Sequence, residues 1–171
     1  GGLRVPFIAS WAKLGKANSF SISQNAVHHQ EIGTVMDIYA TILDATGTRN
    51  PDNHTIDGVS LIPQLKGTKN PDRPDHFLCH FPHFHRSSQY TSYRKGDWKL
   101  IYRYQTKIGN RSLPPYELYD LASDPYEKTN LAEQKPNKLK TMIKQMMAQL
   151  DEEGAQYALD SSKKELRPAL P

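Results

Sequence analysis

The segment QYTSYRKGDWKLIYRY, residues 89–104, reads as two strands and the turn between them. Gln89–Tyr93 and Trp98–Tyr104 carry the aromatic and branched side chains that suit a half-buried pleated surface. Lys95-Gly96-Asp97 is a tight-turn sequence, with a glycine free to take a left-handed conformation. Outward from this hairpin, Phe77–Phe81 and Tyr116–Leu121 have strand composition as well, and TKIGNRSLPP, between the hairpin and Tyr116, reads as a loop. Together they predict a small antiparallel sheet.

From Pro136 onward, Leu139, Met142, Ile143, Met146, Met147 and Leu150 fall on one helical face, and Gly154 stops the helix. The methionines on that face read as core packing. A sheet with a helix packed on one side is an α+β unit. Upstream, the apolar run Val5–Trp11 suits a strand buried on both faces, followed by a polar loop over 13–30. EIGTVMDIYATILDATG then predicts an amphipathic helix, with Val35, Ile38, Tyr39, Ile42 and Leu43 on one side and Gly47 as C-cap. Ser60–Leu65 reads as a helical turn closed by Gly67. This strand and helix resemble pieces of a larger α/β body. The expected organisation is 1–67 as that part, 68–156 as the sheet-and-helix subdomain, and 157–171 as an irregular tail. GGLRVPFIASW reads like the inside of a protein, so the sequence is expected to continue upstream of Gly1.

Composition narrows the partners. The 171 residues include 22 basic and 18 acidic side chains, a net charge of +4, and the charges are dispersed. A dispersed balance of this kind does not favour nucleic acid. No apolar run is long enough to span a membrane. A mean hydropathy of −0.70 and 12 prolines point to a chain with much loop. Cys79 is the single cysteine, so no disulfide can form within the chain.

DHFLCHFPHFHRSS, residues 75–88, gathers His76, His80, His83, His85 and Cys79. A zinc site would need three or four of these to converge. If 77–81 is a strand, His76 and His80 share one face and Cys79 the other, and the spacing matches no familiar zinc pattern. Cys79 among Phe and Leu reads as an inert core thiol. The remaining readings are satisfied structural histidines, or imidazoles at a pocket rim that bind anions or donate protons. His83 and His85 suit the rim better because they follow the turn at Pro82, and Arg86 could reinforce an anion site there.

Several stretches together resemble the C-terminal part of a sulfatase of the alkaline-phosphatase-like superfamily. GGLRVPFIASW is similar to the family's GG-x-RVP-F strand. DIYATILDATG resembles its helix motif, with Asp37, Thr41, Leu43, Asp44 and Gly47 matching. IDGVSLIPQLKG (56–67), HFPHFH (80–85), YRKGDWKLIY (93–102) and YELYDLASDPYEKTNLA (116–132) follow in the family's order. HFPHFH is similar to the HYPHY-type segment of bacterial polysaccharide and glycosaminoglycan sulfatases, without the tyrosine hydroxyls.

The resemblance implies hydrolysis of sulfate esters or N-sulfates by a formylglycine nucleophile, assisted by calcium held on Asp and Asn side chains. It also implies an exported, periplasmic or secreted setting. The formylglycine motif C/S-x-P-S/A-R does not occur in this sequence, and Asp52-Asn53 lacks the family's metal-site context. No cofactor is therefore expected on this chain, and as a fragment it is expected to be inactive alone. His80, His83 and His85 are the expected substrate-binding residues, toward a sulfated carbohydrate, with the upstream catalytic region as partner. Arg4 is expected to support its strand end. An exposed apolar face on the first strand would favour self-association. The alternatives are a free-standing module that binds sulfated glycans and a fragment of another alkaline-phosphatase-like hydrolase. Asn53-His-Thr and Asn110-Arg-Ser are formal glycosylation acceptors.

Overall fold

The structure, a computed structural model, describes residues 5–10, 22–23, 31–84 and 88–171. The chain divides into two compact units, Gly2–Asp75 and His76–Pro171. Residues 68–73 are tied back to the first unit. Thr68 N–H donates to Pro63 O at 2.8 Å, and Arg73 reaches Ile32 O at 2.9 Å and Val59 O at 2.6 Å.

The first unit is organised by one polar face of helix α1 (Asp37–Thr46), which ends at Gly47 in the left-handed region. Asp37, Thr41 and Asp44 recur at i, i+4 and i+7, so they lie on one side of the helix. All three hold the segment before the short helix α2 (Ile62–Leu65). Asp37 Oδ1 accepts Val59 N–H at 2.8 Å, Thr41 Oγ1 accepts Leu61 N–H at 2.9 Å, and Ser60 Oγ donates to Asp44 Oδ2 at 2.6 Å. Arg73 Nη1 completes the arrangement, 2.8 Å from Asp37 Oδ2, with both side chains almost fully buried. Gly58 is needed for this close approach. A Cβ there would stand 2.2 Å from the Met36 carbonyl oxygen.

The outer side of α1 is less orthodox. Val35, Ile38, Tyr39 and Ile42, the apolar row that the sequence suggests as the buried face, are exposed in this chain. Val5–Ser10 likewise form no strand, and Ile8 is 89% exposed. A strand buried on both faces takes its ladder bonds from flanking strands, and among the described residues none pairs with this run. The sequence also suggests a helix from Glu31, yet α1 starts at Asp37, where the Asp37 carboxylate turns back to accept Thr34 N–H at 2.7 Å.

In the second unit, β1 (His76–Phe81), β2 (Tyr90–Lys95), β3 (Trp98–Arg103) and β6 (Tyr116–Asp120) form an antiparallel sheet in the order β1-β2-β3-β6. The segment expected as plain loop closes a small hairpin of its own, β4 (Lys107–Ile108) with β5 (Arg111–Ser112). Helix α3 (Pro136–Glu152) covers one sheet face. Leu139, Met142, Ile143, Met146 and Leu150 meet Tyr93, Leu100, Tyr102 and Leu118 in a closed apolar core, with Met147 packed at its margin. This is the α+β unit the periodicity predicts. The ELYDL…NLA motif earns its place through backbone bonding. Asn130 Oδ1 accepts Leu118 N–H and Ala132 N–H at 2.9 and 3.0 Å, and its amide donates to Tyr116 O at 3.0 Å, so one side chain serves the outer edge of β6.

Residues 157–171 carry one isolated bridge, Leu159 with Glu165, and dock onto the sheet. Ala169 N–H donates to the Tyr102 hydroxyl at 3.1 Å, and the Arg167 guanidinium lies 4.7 Å from the Tyr157 ring centre.

Asp37→Ala would leave the Arg73 cation buried and unpaired, at a cost of about 3–5 kcal/mol. Faster hydrogen exchange at the Val59 and Leu61 amides, with the sheet amides unchanged, is the expected outcome. Unchanged exchange at both amides would show that the pair does not organise this unit.

Candidate functional site

The register β1 on β2 decides where each histidine goes. Phe81 pairs with Tyr90, His80 with Thr91 and Cys79 with Ser92. Side chains alternate along a strand, so His76, Leu78 and His80 fall on the side covered by α3, with Thr91, Tyr93, Leu100 and Tyr102. Phe77, Cys79 and Phe81 fall on the other, with Tyr90, Ser92 and Arg103. The sheet holds His80 and Cys79 on opposite faces, so these two candidate zinc ligands do not converge. Among the described residues, no three His, Cys, Asp or Glu side chains form a metal-holding group.

His80 is fully engaged by the protein. Its Nδ1 lies 2.8 Å from Thr91 Oγ1 and its Nε2 lies 2.9 Å from the Gln156 carbonyl oxygen. A carbonyl only accepts, so Nε2 carries a proton. In the neutral ring Nδ1 then accepts from the Thr91 hydroxyl, which in turn accepts from Tyr104 OH at 2.7 Å. The rings of Tyr104 and Tyr157 stand edge-on to His80 at 5.9 and 5.3 Å. This network fastens β1 to the segment that leaves α3.

His83 is placed differently. It follows Pro82, is exposed, and rests edge-on against Phe81 at 5.8 Å. Phe81 packs in turn against Tyr90 at 5.7 Å. His83 thus stands at the end of β1, on the side away from His80's network, with an imidazole open to a ligand. His85, Arg86 and Arg4 lie outside the described residues. The structure does not bring His80 and His83 together as one binding pair.

Beyond the histidines, the face opposite α3 carries a charged chain. Arg103 donates to Glu117 Oε1 through Nε at 2.8 Å and to Ser88 Oγ at 3.1 Å, and Tyr119 OH donates to Glu117 Oε2 at 2.5 Å. Lys99 Nζ meets both Glu127 oxygens at 2.8 Å. These pairs are internally satisfied and leave little capacity for a ligand.

Calcium and formylglycine do not fit the described side chains. Asp37 is consumed by Arg73 and two backbone amides, Asp44 by Ser60, and Asp52 by Arg49. Cys79 is half-buried in mid-strand.

Comparison with known proteins follows the same lines. A family model described as N-sulphoglucosamine sulphohydrolase, C-terminal, matches residues 2–156, and the chain belongs to that sulfatase family. Arylsulfatase K of Xenopus laevis is 33% identical over 129 residues, covering 71% of this chain and 23% of the relative. A sulfatase of Formosa agariphila is 29% identical over 147 residues, covering 80% of this chain and 24% of the relative. The chain therefore spans roughly a quarter of the length of these curated relatives. Among solved structures, BT4656 in complex with its substrate D-glucosamine-2-N,6-O-disulfate aligns with a TM-score of 0.51 at 25% identity, over 67% of this chain and 23% of that one. The putative sulfatase yidJ from Bacteroides fragilis aligns with a TM-score of 0.52 at 23% identity, over 70% of this chain and 25% of that one, a likeness of fold.

Two measurements test the His80 network. His80→Ala removes two hydrogen bonds and strips a partner from the fully buried Thr91 hydroxyl, a loss of about 1–3 kcal/mol in denaturant unfolding. An unchanged midpoint would contradict the network. Burial holds the Tyr104 hydroxyl well above the usual phenol range, against the opposing pull of Thr91. A raised acid contributes stability that is complete below the unfolded value of about 10 and is lost as pH rises above it. Tyr104→Phe should therefore flatten the decline of stability in alkaline solution, and an identical slope would rule this contribution out.

Proposed function

We propose that this chain is the C-terminal part of a sulfatase that hydrolyses sulfate esters or N-sulfates of a sulfated sugar. The nucleophile and metal site then come from sequence outside these residues. The observation that carries this reading is the family match across residues 2–156. That family is N-sulphoglucosamine sulphohydrolase, and the similar structure of BT4656 holds a glucosamine bearing N- and O-sulfates. Both support sulfated glucosamine, as found in glycosaminoglycans, as the substrate class. The setting in keeping with such relatives is exported, periplasmic or secreted. No described helix is long and apolar enough to cross a membrane.

In this reading the chain contributes binding and orientation. His83 is the substrate-facing side chain, because it is exposed beyond the proline that ends β1 and its ring is steadied by Phe81. An imidazole there can donate to a sulfate oxygen or a sugar hydroxyl. His85, two residues on, is a second candidate. His80 acts one step back, by anchoring the strand that carries them. Binding energy from parts of the substrate remote from the reacting sulfur helps orient it for hydrolysis.

The test is His83→Ala in the full-length enzyme, compared on a sulfated glucosamine and on p-nitrophenyl sulfate. Loss of one hydrogen bond to a charged group should lower kcat/KM on the sugar about tenfold, with a much smaller loss on the aryl sulfate. Equal losses on both would remove His83 from sugar recognition. A full-length protein that releases sulfate from neither substrate would overturn the sulfatase reading itself.

A further inference from the structure

We propose that Gln89 is the positioning residue for His83, setting where that imidazole leaves the sheet. The inference rests on the sugar-facing role of His83 given above. The β1–β2 ladder ends at the pair Phe81–Tyr90, so the next pair in register is Pro82 with Gln89. Proline has no N–H, and a ladder cannot continue through it in the ordinary way. The side chain of Gln89 takes over at this point. Its Nε2 donates to the Pro82 carbonyl oxygen at 3.1 Å, across the mouth of the connection. Gln89 is itself held from the other side, because its carbonyl accepts Tyr104 N–H at 3.0 Å.

His83 is the next residue after the pinned carbonyl. Its backbone direction follows from Pro82, and its ring direction follows from the edge contact with Phe81, which is braced by Tyr90. Gln89, Phe81 and Tyr90 therefore define one mount for one imidazole. The other amide atom gives a second indication. Gln89 Oε1 is buried and has no hydrogen-bond partner. A half-satisfied buried amide costs stability, and an apolar side chain of similar length would avoid that cost. What glutamine supplies here, and an apolar residue does not, is the bond to Pro82.

The experiment is a double-mutant cycle in the full-length enzyme. Gln89→Met keeps length without the donor, and Gln89→Glu keeps shape while placing a carboxylate against the carbonyl. Each should raise KM for a sulfated glucosamine about fivefold to tenfold, with kcat changed less and with a smaller effect on p-nitrophenyl sulfate. In a His83→Ala background, either substitution should add less than about twofold, because the residue it positions is gone. Multiplying losses would mean that Gln89 acts independently of His83 and would overturn the proposal, as would equal losses on both substrates. A selective loss for His83→Ala, with neither Gln89 variant affecting the sugar, would overturn this inference and leave the sulfatase reading standing.

Discussion

The pairing of β1 with β2 is the constraint on which the site depends. A strand presents successive side chains to opposite faces, so one register sorts the whole histidine-rich segment at once. It turns His80 toward the face closed by α3, where Thr91 and the chain leaving the helix occupy both ring nitrogens. It turns Phe81 outward, where the ring supports Tyr90 on one side and His83 on the other. A slip by one residue would exchange these roles, exposing Leu78 and burying Cys79 beneath the helix. The closed core of Tyr93, Leu100, Leu118 and the α3 methionines makes that slip costly.

The first unit rests on a different principle. Its helix is held by polar side chains at helical spacing, and its ion pair is buried. A buried pair of this kind adds little net stability beside a well-packed apolar alternative, yet losing one partner is costly. It fixes the 58–61 segment against α1 in one geometry. The motif residues Asp37, Thr41, Asp44 and Gly58 are thereby explained as architecture.

Much of the second unit was legible in the sequence because its signals are local. Alternation at 98–103, the turn at Gly96 and the spacing of Leu139 through Leu150 each depend on neighbours a few residues away. Legibility ended where an element needed distant company. Val5–Ser10 has strand composition but finds no ladder among the described residues, and the apolar row of α1 is exposed, since composition does not say what an element will meet. The candidate site divides the same way. Alternation shows that His76 and His80 share a face, but not which face α3 covers. His80's role depends on a backbone carbonyl at Gln156, which no side-chain pattern advertises. Gln89 left no motif either, because its significance arises only from standing opposite Pro82 in register.

In the proposed reading His83 meets the sugar and His80 secures the strand beneath it. The most direct measurement is a crystal structure of the full-length enzyme with a bound sulfated glucosamine. The expected result is a His83 ring nitrogen within hydrogen-bond reach of the sugar or its sulfate, and His80 still bonded to Thr91 and Gln156. A sugar bound beyond the reach of His83, or a His80 rotated out of its network onto the ligand, would contradict it.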